Sequence, residues 1–60
     1  MIHDLKVALA GWYLSLANDF ISRNEDKDLA WDQPELANIM TRNNITKEDI
    51  YSVIPEVWAE

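Results

Sequence analysis

The sequence predicts a small all-α domain: one long N-terminal helix, two short helices and a C-terminal turn. Three observations carry that expectation. Apolar residues recur at three- and four-residue spacing from Ile2 to about residue 23, as on one face of a helix. Helix-start grammar then occurs twice, at Asp32-Gln33-Pro34-Glu35 and at Thr46-Lys47-Glu48-Asp49. No stretch alternates apolar and polar residues as a half-buried strand does.

The chain has 60 residues and makes one domain, residues 1–60. A chain this short buries only about 60% of the surface its unfolded form exposes, so its stability is expected to be marginal. The absence of cysteine excludes disulfides, and a single histidine, His3, near a terminus argues against a structural zinc. Aromatic packing and association remain as sources of stability. Three tryptophans, two tyrosines and one phenylalanine are a heavy aromatic load for this length.

The first helix, residues 2 to about 23, carries two apolar stripes. Ile2, Leu5, Leu9, Trp12, Leu16 and Phe20 form one, read as the core stripe; Val7, Ala10, Leu14, Ala17 and Ile21 form a second, roughly opposite. Residues 7–17 contain no charge, and Asp4, Ser15, Asn18 and Ser22 make only a narrow polar strip, with Gly11 in it. A helix apolar on so much of its surface is normally covered on several sides. Two readings follow: the short helices straddle it and consume both stripes, or the second stripe meets another chain. Gly11 costs about 1 kcal/mol of helix propensity relative to alanine. In the second reading it admits a close backbone, and Val7, Gly11, Leu14 and Ile21 form the partner surface.

Residues 24–28, Asn-Glu-Asp-Lys-Asp, lack an apolar side chain and read as a solvated loop. Asp32 is then the expected cap of a second helix over about 33–42, with Pro34 in its first turn, Glu35 completing a capping box and Trp31 and Leu36 as the staple. Asn43-Asn44 should end it. Thr46 with Asp49 repeats the box for a third helix over about 47–54, with Ile45 and Ile50 as its staple. Pro55 should kink or break that helix, leaving residues 56–60 as a turn or tail docked by Val57 and Trp58. The expected core is Leu5, Leu9, Trp12, Leu16, Phe20, Trp31, Leu36, Ile39, Ile50, Ile54 and Trp58.

Eleven acids against five Lys and Arg give a net charge of -6. That balance argues against phosphate-backbone binding and against adsorption to anionic membranes. The apolar run is shorter than the roughly 20 residues that a membrane span needs. The expectation is therefore a soluble, cytoplasmic protein.

Catalysis is not expected, because His3 and the serines at 15, 22 and 52 belong to no nucleophile-base motif. No cofactor is expected either. Glu25, Asp26, Asp28 and Asp32 are dense enough to suggest calcium, yet they lack the glycine and terminal glutamate of an EF-hand loop. A single glycine excludes a phosphate-cradling loop. Helix, turn and helix across 33–54 invite a DNA-binding reading, but the would-be recognition helix begins Lys47-Glu48-Asp49, which turns carboxylates toward DNA. The acids also invite the opposite reading, an imitation of the DNA backbone. Helix N-termini account for Asp32, Glu35, Glu48 and Asp49 without it.

Ile45-Thr46, Ile50-Tyr51, Ile54-Pro55 and Val57-Trp58 resemble the C-terminal pattern of the Hha family of small helical bacterial proteins, and Asp32 with Glu35-Leu36-Ala37 echoes their middle segment. The resemblance implies binding to a nucleoid-organising protein. It covers less than half the chain, needs gaps and leaves the first helix unmatched, so no site residues are carried over.

The functional expectation is a non-enzymatic regulator or inhibitor, of phage or plasmid kind, that binds another protein. The second stripe is its contact surface, used first for a homodimer. The alternatives are a DNA mimic, with Glu25, Asp26, Asp28 and Asp32 as its surface, and a small helix-turn-helix-like regulator.

Overall fold

The computed structural model describes residues 2–58. They form α1 (Ile2–Ser22), a short 3-10 helix η1 (Lys27–Asp32), α2 (Pro34–Arg42) and α3 (Lys47–Trp58). No strand occurs among the described residues. α1 is the platform: α3 and η1 both pack on it, and α2 packs on η1.

The buried residues of α1 are Leu9, Ala10, Tyr13 and Ala17. At about 100° per residue they are the facing edges of the two sequence stripes, Leu9 of the first and Ala10 and Ala17 of the second, with Tyr13 between them. The stripes are thus the flanks of one broad apolar arc centred on Tyr13. Leu5, Trp12, Leu16 and Phe20 are half-buried on one flank, and Val7 and Leu14 on the other. Ile2 and Ile21, at the two ends of the helix, are exposed.

Asn24 and Asn44 end α1 and α2 in the same way. Both adopt the left-handed conformation, with φ of 62° and 55°. Behind Asn24, the amides of Asn24 and Glu25 donate to the carbonyls of Ile21 and Phe20. Behind Asn44, those of Asn44 and Ile45 donate to Thr41 and Met40. These paired bonds satisfy carbonyls that a helix end leaves orphaned. Ile45 and Met40, joined by the second of them, are both buried.

The expected solvated loop is shorter than 24–28, because η1 already begins at Lys27. The Asp26 carboxylate starts it by accepting from the Asp28 amide at 2.9 Å. η1 then turns Ala30 and Trp31 into the core. Asp32 therefore lies inside η1 and does not cap α2. Gln33 occupies the cap position with no side-chain cap bond, and Pro34 starts the helix. The proline's fixed φ, together with its lack of an N–H to satisfy, does the work expected of the box.

The second box forms as its spacing predicts. The Thr46 amide donates to Asp49 Oδ2 at 3.0 Å, and the Asp49 amide to Thr46 Oγ1 at 3.2 Å. Ile45 and Ile50 are both buried on either side of it. Lys6 Nζ of α1 reaches Asp49 Oδ1 at 3.7 Å, tying the start of α3 to the platform.

Pro55 does not end α3, which runs on to Trp58. A proline here removes one backbone bond, to the carbonyl of Tyr51. Tyr51 and Pro55 are both exposed, so solvent can take that bond's place. The continued helix corrects the core as well: Trp58 is 71% exposed rather than buried. Ile39 and Ile54 are half-buried, while Tyr13, Met40, Ile45 and Val53 join the buried set. Ala59 and Glu60 of the expected tail lie outside the described residues.

Two outcomes follow for stability. Asn44→Ala places a Cβ in the left-handed region without the amide that tolerates it, and should cost about 1 kcal/mol in urea denaturation, whereas Asn44→Gly should hold or raise the midpoint. The Asp49 carboxyl is held below its ordinary 3.8, first by the Thr46 amide, which outweighs the opposing effect of desolvation, and then by the Thr46 hydroxyl and Lys6. A depressed acid contributes stability that is present above its unfolded value and lost as pH falls through the folded one. Urea midpoints measured from about pH 5 to about pH 2.5 should therefore fall less steeply in Asp49→Asn than in the wild type.

Candidate functional site

An apolar concavity lies where α3 packs on α1. α3 presents two edges to the platform. Asp49 and Glu56, one edge, meet Lys6 and His3 in the first two turns of α1, with His3 Nε2 at 2.8 Å from Glu56 Oε1. Tyr51, Ile54 and Trp58, at i, i+3 and i+7, form the other edge and face the second half of α1. Between that edge and α1 lies an open groove of about 390 Å³, lined by Tyr13, Leu14, Ala17 and Ile21 of α1, by Tyr51, Ile54 and Trp58 of α3, and by Asn18 and Lys27.

An aromatic cluster forms the inner end of the groove. Tyr13 stacks on Trp31 with ring centroids 4.1 Å apart and planes 13° apart. Tyr51 stands edge-on to both, at 6.1 Å and 5.8 Å. Lys47 Nζ lies 5.7 Å from the Trp31 ring centroid, a cation-π approach from the start of α3. The Tyr13 phenol is pushed up to about 12, first by burial, then by the Tyr51 hydroxyl and by the charges of Asp28 and Asp26. Those two carboxylates therefore act on the groove's inner end.

The outer end is apolar and uncovered. Ile21 is 57% exposed and Trp58 71%. Exposed apolar side chains are ordinary when scattered. Here these two, with exposed Tyr51, share a groove with half-buried Leu14 and Ile54, and such a cluster marks an interaction surface more often than isolated residues do.

Of the residues singled out in the sequence, Leu14 and Ile21 line this groove, and Val7 and Gly11 do not. Val7 is half-buried and packs against the core. A Cβ built on Gly11 meets nothing within 4 Å, so no backbone leans on that glycine. Glu25, Asp26, Asp28 and Asp32 are all exposed. Three of them have local tasks: Glu25 pairs with Arg23 at 3.3 Å, Asp26 caps η1, and Asp28 pairs with Lys27 at 3.4 Å. Among the described residues no group of three or more His, Cys, Asp or Glu is placed to hold a metal ion. No described helix is long and apolar enough to cross a membrane.

Sequence reasoning missed the α3 wall of the groove. Tyr51, Ile54 and Trp58 carry the i, i+3, i+7 signature of a helix face. Only the expectation of a break at Pro55 hid it.

Comparison with known proteins finds no match: no family model matches the chain, and no curated protein or solved structure does.

The buried phenol gives a direct check on the inner end. An acid whose folded value is raised contributes stability that is present below its unfolded value, here 10.0, and is lost as pH rises through the folded value. Absorbance titration should show one tyrosine ionising near pH 12 while the native fold persists. That step should vanish in Tyr13→Phe.

Proposed function

We propose that this chain is a non-enzymatic regulator that acts by docking another protein in the groove between α1 and α3. The observation that carries the reading is the apolar groove with two large, exposed side chains, Ile21 and Trp58, at its open end. A marginally stable domain gains by burying such residues. This one leaves them at the surface, beside Leu14 and Ile54. The uncovered flank of α1 is the same one on which the sequence places surplus apolar residues.

The acidic surface supports a second reading less well. An imitation of DNA needs carboxylates arrayed and unengaged, whereas Glu25, Asp26 and Asp28 are each held by a neighbour on their own loop.

Site-specific photocrosslinking tests the reading. A benzophenone side chain at Ile21 should give one defined adduct in the cell that makes the protein, and the same group at Asp19, exposed two residues away on α1, should not. Absence of an adduct at Ile21, or the same adducts from both positions, would remove the groove as a docking site.

A further inference from the structure

We draw no further inference here: the strongest candidate, the cavity of about 270 Å³ that Trp31, Thr41, Thr46 and Lys47 line beside the start of α3, offers only exposed threonine and lysine side chains at a helix N-terminus, and nothing in the structure directs the buried, unpartnered Trp31 Nε1 into it.

Discussion

The stack of Tyr13 on Trp31 is the contact on which the other elements depend. η1 is two turns of 3-10 helix, too short to persist alone, and it is held by inserting Ala30 and Trp31 into the core. α2 packs on η1, so it inherits its place from that insertion. α3 meets the same pair through the edge-on ring of Tyr51 and the ammonium of Lys47. Stacked and edge-on aromatic pairs add about 1 kcal/mol each beyond the area they bury. In a chain with no disulfide, these contacts supply the dense aromatic packing that a domain of this size requires.

The sequence makes parts of this fold readable and hides others, for identifiable reasons. The span of α1, the Thr46-Asp49 box and the stop at Asn44 are local features, set by residues within one turn of each other, and all three are visible in the spacing. Tyr13 is not, because dividing α1 into two stripes treats the middle of its apolar arc as a gap. Which part of a broad arc is buried most deeply depends on where α3 and Trp31 come down on it, and that is a tertiary fact. η1 escapes for a different reason. Six residues of 3-10 helix are too few for periodicity to detect, and their start, an aspartate accepting from the amide two residues on, looks the same as a loop turn.

The candidate site was half legible. Leu14 and Ile21 stand out because the rest of a 60-residue chain has too little surface to cover both flanks of α1. Val7 shares their flank and Gly11 lies in the polar strip beside it, yet neither lines the groove. The opposite wall was obscured by the proline rule. A break at Pro55 leaves Trp58 free to fold back into the core, and a helix that continues holds it in line with Tyr51 and Ile54. One lost backbone bond at an exposed position costs little enough for the helix to run on. That outcome converts an expected core tryptophan into the rim of a groove.

The same step explains why the groove stays open. The chain reaches Pro55 with Leu14 only half-buried and Ile21 exposed, and the residues just after it have two uses: to turn back over α1, or to extend α3 and wall the groove. Extension leaves Trp58 71% exposed, a configuration that disfavours the isolated fold relative to one in which that ring is buried. A ligand that binds only the folded chain stabilises it in proportion to the logarithm of its concentration over its dissociation constant. For a domain with little stability to spare, occupation of the groove and persistence of the fold are then linked through the same side chains. Tyr13 belongs both to the wall of the groove and to the stack that holds η1, so a partner docked as proposed would also brace the contact on which α2 depends.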